Sequence, residues 1–132
     1  MCFASAAEQF GVPEHVLRAI AQVESGGNPN AVTRNYDGSK NFGLMQVHQL
    51  WLPRLQQELG ITKLSLLEPC NNIKVGALIL ADNLRRYNND LWRAVGFYNA
   101  KSPVPQNRYI RKVQAAILLA AAPKPEGYDG YY

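Results

Sequence analysis

Ala19-Ile20-Ala21-Gln22-Val23-Glu24-Ser25-Gly26-Gly27-Asn28 is the stretch on which the reading of this chain turns. Its first part reads as the end of an amphipathic helix, and Ser25 to Pro29 is a run that no helix continues through. Counting back from Glu24 by three, four and seven gives Ala21, Ile20 and Leu17, so the carboxylate shares an apolar face. Two readings stand at this point. A glutamate at a helix end commonly turns out to solvent. A carboxylate held among apolar side chains instead keeps its proton longer, as a general acid near neutral pH requires.

Upstream, residues 3 to 10 predict a short helix stopped by Gly11, and Pro13 and Glu14 suit the first turn of the helix that carries Glu24. Residues 25 to 42 form a loop rich in Gly, Asn, Asp and Pro, with a turn at Asp37-Gly38. Such a loop directly after a buried acid is a natural cleft wall. Leu50, Trp51, Leu55 and Leu59 follow at helical spacing up to Gly60, with Pro53 in the first turn. Residues 61 to 70 read as a connector whose Leu64, Leu66 and Leu67 cover the core. Asn71 or Asn72 caps a long helix that lines one face with Ile73, Ala77, Leu80, Leu84 and Tyr87, and Gly76 permits a close approach of another helix. Asp90 caps the next, and a last helix turns Tyr109, Val113, Ala116, Ile117 and Ala120 inward. No run alternates apolar and polar residues as a strand does. The expectation is an all-α domain of five or six helices over residues 1–122, followed by a loose tail over 123–132.

At 132 residues the chain is one domain, and 47% hydrophobic with 18% charged residues is an ordinary globular composition. A net charge of +4 favours an anionic partner. The basic residues are scattered, without the Lys/Arg block and interleaved aromatics of a nucleic-acid surface, so no nucleic acid is expected. No segment reaches the roughly 18 apolar residues of a membrane span. The two cysteines, Cys2 and Cys70, leave two readings open. Paired, they would close a long loop worth about 4 kcal/mol and imply an oxidising compartment. Unpaired, they are two buried thiols. Together with His15 and His48 they lack metal-ligand spacing, so no metal is expected. No leader pattern opens the chain, although Met1 directly before Cys2 looks like a start codon set on a trimmed mature sequence.

Three polar clusters sit where helices begin or end: Ser25 just past the acid, Gly43-Leu44-Met45-Gln46, and Phe97-Tyr98-Asn99-Ala100. Each alone is common. In this order, Glu24-Ser25, Gly43-Leu44-Met45-Gln46 and Tyr98-Asn99-Ala100 resemble the soluble lytic transglycosylase family over about residues 2 to 115. The segment Pro69-Cys70-Asn71-Asn72-Ile73-Lys74-Val75-Gly76-Ala77 is similar to that family's link into its long helix. With Cys2 it points to the small transglycosylases that accompany type III and type IV secretion systems, conjugation machines and type IV pili. The resemblance implies a goose-type lysozyme-like fold, export to the periplasm and a Cys2–Cys70 disulfide. It also implies peptidoglycan glycan strands as substrate, a secretion or pilus machine as partner, a monomer, and no metal or organic cofactor. Two positions depart from the pattern: Asn41 stands where many small relatives carry Asp, and His48 where Asn is usual.

A hydrolase needs a second group to attack the sugar or to activate water. If the substrate supplies its own nucleophile, one acid/base residue suffices. The resemblance implies that protonated Glu24 gives its proton to the oxygen leaving the N-acetylmuramic acid. Ionised Glu24 then takes a proton from the C6 hydroxyl, which closes a 1,6-anhydro ring. Ser25 would hydrogen-bond near the carboxylate or the N-acetyl group, Gln46, Asn99 and the Met45 backbone would hold sugar, and the Tyr98 hydroxyl would orient Glu24. The alternatives are a lysozyme-like hydrolase with Asp37 or a loop-ordered water in the second role and a non-catalytic wall-binding assembly protein.

Overall fold

The computed structural model describes residues 2–123 and Gly127; the expected tail lies outside the described residues apart from Pro123 and Gly127. The all-α class holds. The described residues form seven α-helices, beginning with α1 (Phe3–Phe10), α2 (Glu14–Ser25), α3 (Leu52–Leu59) and α4 (Lys63–Leu66). The last three are α5 (Pro69–Arg86), α6 (Leu91–Asn99) and α7 (Pro103–Ala121). The count exceeds five or six because the connector over 61–70 folds its own short helix, closed by a Thr62–Ser65 capping box.

α5 is the axis of the molecule. Asn72, Ile73 and Val75 through Ala81 are all buried, so its middle is enclosed nearly all round rather than along one face. α1, α2, α4 and α6 pack on it, and α7 packs on α2 and α6. Val16, Leu17 and Ile20 of α2, Leu55, Leu66, and Val95 and Val113 of the last two helices complete the core. Leu50 and Leu64 point outward against expectation, at 78% and 83% exposed, and Ala120 is also exposed. α5 starts earlier than expected: Glu68, not Asn71 or Asn72, caps it by accepting from the Cys70 and Asn71 amides at 3.1 and 2.8 Å.

The loop after α2 holds three short antiparallel strands, β1 (Val32–Arg34), β2 (Lys40–Phe42) and β3 (Val47–His48), paired in that order. The register sets Val32 opposite Phe42 and Asn41 opposite His48. At three residues or fewer, these strands are too short to show an alternating pattern. Gly38, at φ +87°, makes the turn between β1 and β2.

Cys2 and Cys70 form a disulfide that joins the start of α1 to the first turn of α5 across 68 residues of sequence. Replacing both by serine is expected to lower the unfolding free energy by about 4 kcal/mol, since the bond restricts a long loop in the unfolded chain. Urea unfolding of the two forms, compared at one pH, checks this.

Candidate active site

Two residues of α5, Asn72 and Gly76, build the floor of the site. Asn72 is wholly buried, and its amide holds three backbone groups of other segments. Its Oδ1 accepts from the Met45 amide at 2.7 Å, and its Nδ2 donates to the Phe42 and Leu66 carbonyls at 2.9 and 3.1 Å. Gly43, at φ +76°, lies directly on this amide: a Cβ there would sit 2.7 Å from Asn72 Cγ. Gly76 leaves a similar gap, which the Met45 side chain fills; a Cβ on Gly76 would stand 2.6 Å from Met45 Cε. Gly76 therefore admits the turn over 43–46, not a second helix. Gln46 completes that turn at φ +50°, uncommon for a residue with a side chain. Its Nε2 donates to the Ala31 and Gly43 carbonyls at 3.1 and 3.0 Å, and its Oε1 accepts from Thr33 Oγ1 at 2.6 Å.

Above this floor opens a cavity of about 410 Å³, walled by Glu24, the hairpin side chains Thr33, Asn35, Ser39 and Asn41, and by Gln46, His48, Trp51, Tyr98 and Asn99. A cleft lined mainly by amides and hydroxyls, with an indole at one wall, suits a sugar chain better than an apolar ligand. Trp51 is held there by Arg54, whose guanidinium lies 5.3 Å from its ring centroid and pairs with Asp82 of α5.

Glu24 lies at the last turn of α2, before Gly26 closes the helix in a left-handed conformation. It is partly exposed to the cleft, yet burial of its carboxyl raises its pKa from 4.5 to about 7, against a smaller lowering by the Tyr109 hydroxyl. Tyr109 is 4% exposed, and its hydroxyl forms no hydrogen bond of good geometry among the described residues, although it faces the carboxyl closely enough for each to shift the other. Such contacts often tighten only when substrate is bound. Burial and the charge of Glu24 both push the Tyr109 phenol up, so it stays protonated and can only donate to the carboxylate. Tyr109 was expected only as a core residue. Its spacing on α7 is that of an inward face, and its nearness to Glu24 depends on α7 packing back on α2.

Other expected site residues take different places. Tyr98 lines the cavity, but its hydroxyl donates to the Met45 carbonyl at 2.7 Å, tying α6 to the turn. Ser25 Oγ donates to the Ala21 carbonyl at 3.0 Å and accepts from the Gly27 amide at 3.2 Å, at the end of α2. Met45 is fully buried, with both backbone polar groups engaged. Glu24, Gln46, Tyr98 and Asn99 are brought together on one cavity; Ser25 and Met45 support it from behind.

The two departures noted in the sequence share one network. Asn41 Nδ2 donates to Thr33 Oγ1 and to Asn35 Oδ1, at 3.2 and 3.0 Å; an aspartate there has no donor to offer. His48 Nδ1 accepts from the Leu50 amide at 3.0 Å, which leaves Nε2 to donate to Ser39 Oγ, also at 3.0 Å. Ser39 in turn donates to Asp37, and its hydroxyl and amide hold that carboxylate below its ordinary pKa. Ser39 thus accepts from His48 instead of donating to it, the wrong direction for the imidazole to act as its base. Among the described residues no group of three or more His, Cys, Asp or Glu gathers as a metal site. No helix among them is long and apolar enough to cross a membrane.

Comparison with known proteins gives the fold and the family. The lytic transglycosylase Slt of Pseudomonas aeruginosa, solved as an inactive mutant, superposes with a TM-score of 0.73 at 20% identity, covering 89% of this chain and 23% of that one; it shares the fold. The invasion protein IagB of Salmonella typhimurium is 41% identical over 112 residues, which span 84% of this chain and 68% of IagB. Protein IpgF of Shigella flexneri is 38% identical over 126 residues, 92% of this chain and 82% of its own. Residues 1–117 match the family model described as the Transglycosylase SLT domain, and the chain belongs to that family of enzymes.

Proposed function

We propose that this chain cleaves the β-1,4 bond between N-acetylmuramic acid and N-acetylglucosamine in peptidoglycan without consuming water, leaving 1,6-anhydro ends. The observation that carries the reading is Glu24: a carboxyl raised to about 7 by burial, opening onto a polar cleft. Near neutral pH such a group is protonated often enough to give a proton to the leaving oxygen, and basic enough afterwards to take one from the C6 hydroxyl. The substrate's own N-acetyl group relieves the developing charge at C1. Tyr109 donates to the carboxylate once it forms, while Gln46 and Asn99 offer amides to the sugar. Family membership supports the reaction class. On this reading the enzyme works in the periplasm and opens the wall for a secretion, conjugation or pilus apparatus, and a relative named as an invasion protein supports the link to such a machine.

One observation favours a second reading. Asp37 also lines the cavity and stays ionised, so the cleft holds two carboxyl groups with pKa values pushed apart, as hydrolytic glycosidases do. Mass spectrometry of the muropeptides released from intact sacculi separates the two. Anhydro-muramyl ends, lighter by one water, are expected; reducing ends alone would replace this reading with hydrolysis. Release of nothing would leave a wall-binding protein.

A further inference from the structure

Glu24 and Asn99 border not one cavity but two, so the carboxyl stands between them. The second, of about 200 Å³, differs in character from the first. Its outer wall is α7, from which Arg108 and Lys112 reach it one helical turn apart, beside Pro105. The ion pairs among the described residues involve Glu14, Glu58 and Asp82, with Arg18, Arg54 and Arg85; none takes in Arg108 or Lys112. Neither side chain makes a hydrogen bond among those residues, and Glu24 is the one acid on the cavity wall. No ion pair joins Glu24 to either cation among the described residues. Two like charges at i, i+4 repel mildly. Held at the end of a cleft, they complement an anion that arrives with the substrate.

We infer that the smaller cavity receives a carboxylate carried on the side chain of the muramyl residue, and that Arg108 and Lys112 hold it. This rests on the proposed cleavage of wall glycan and names which glycan is preferred. The muramyl side chain offers this chemistry from two sources: the free carboxylates of the stem peptide, and the lactyl carboxylate exposed when that peptide is removed. Arg108 can take a carboxylate through two parallel N–H bonds, and Lys112 adds a point charge beside it. The two residues would thus set specificity rather than perform chemistry.

The test compares kcat/KM on peptide-bearing strands and on strands stripped by an amidase, scored by glycan fragment length so that either cleavage chemistry counts. The forms are the wild type, Arg108→Gln with Lys112→Gln, and the charge-keeping pair Arg108→Lys with Lys112→Arg. The glutamine pair is expected to lose about five- to tenfold on one substrate, as two exposed charged contacts acting together give. The charge-keeping pair is expected to retain most of the rate. A larger loss on peptide-bearing strands assigns the stem peptide, and a larger loss on stripped strands assigns the lactyl group. Raising salt from about 10 mM to about 1 M shortens the screening length from about 30 to about 3 Å. It should lower the wild-type rate on the preferred substrate without needing any variant. A loss under about twofold on both substrates, with no salt effect, overturns the carboxylate site alone. A wild type that cuts neither substrate overturns the glycan-cleaving reading beneath it.

Discussion

Glu24→Gln is expected to abolish glycan cleavage, with kcat reduced by about 1,000-fold or more, while the chain gains stability at neutral pH. The first part follows from the role. A positioned general acid contributes roughly 10²–10⁴, and here one group serves both steps, whereas an amide can neither give nor take the proton. Because the protonated form acts first, wild-type kcat/KM is expected to fall on the alkaline side with a midpoint near 7, the raised pKa of Glu24. The gain in stability follows from linkage. The folded carboxyl holds its proton up to about 7, and the unfolded one releases it near 4.5. Between those values the folded state binds more protons, so wild-type stability is lost as pH rises, by about 3 kcal/mol over the window. Glutamine cannot ionise, and the variant should lack that slope. Activity on sacculi together with urea unfolding from pH 4.5 to 7.5 checks both halves. Substantial turnover by the variant, or an unchanged slope, would refute the assignment.

Asn72→Ala is expected to cost about 5 kcal/mol, and cleavage should fall with it in the fraction that stays folded. The amide makes three bonds to the backbone of β2, the turn at 43–46 and α4, all in a dry interior. Each orphaned group costs about 1–3 kcal/mol, and the vacated volume adds to that. Asn72→Asp isolates the reason. It keeps the acceptor for Met45 but removes both donated bonds, so it should be destabilised nearly as much at neutral pH and recover in part in acid. Circular dichroism melts of the three forms at two pH values measure this; an alanine variant within about 1 kcal/mol of wild type would sink the account.

These two residues also mark where the sequence is legible and where it is not. Glu24 stood out because its neighbours on one helix face and the Gly-Gly break behind it lie within ten residues. Helix ends at Gly11, Gly60 and Asp90 were readable for the same reason, each being a local backbone matter. In the sequence Asn72 reads as a cap, because capping is what an Asn near a helix start does locally; two of its three partners lie 27 and 30 residues away. Tyr109 was hidden likewise, its apolar spacing satisfied by the core while its hydroxyl faces a helix 85 residues earlier. The loop over 25–42 announced a cleft wall by composition. Its strand pairing could not be seen, since polar strands this short carry no period.

The cleft is therefore bounded by two walls of unequal firmness. On one side, the turn at 43–46 is bolted to α5: Asn72 grips its backbone, Met45 is sunk beside Gly76, and Tyr98 ties it to α6. On the other, β1 is exposed at all three positions, and the Tyr36 side chain is wholly in solvent. β1 and the hairpin tip are held by hydrogen bonds among their own polar groups, to Gln46 and to His48, whereas Phe42 at the end of β2 is buried in the core. β1 and the tip have few apolar contacts to lose, so their opening free energy is expected to be small, with Phe42 left in place. A long polymer need not be threaded end-first into such a groove. It can be admitted sideways, anywhere along its length, by the yielding wall, and be aligned by the fixed one.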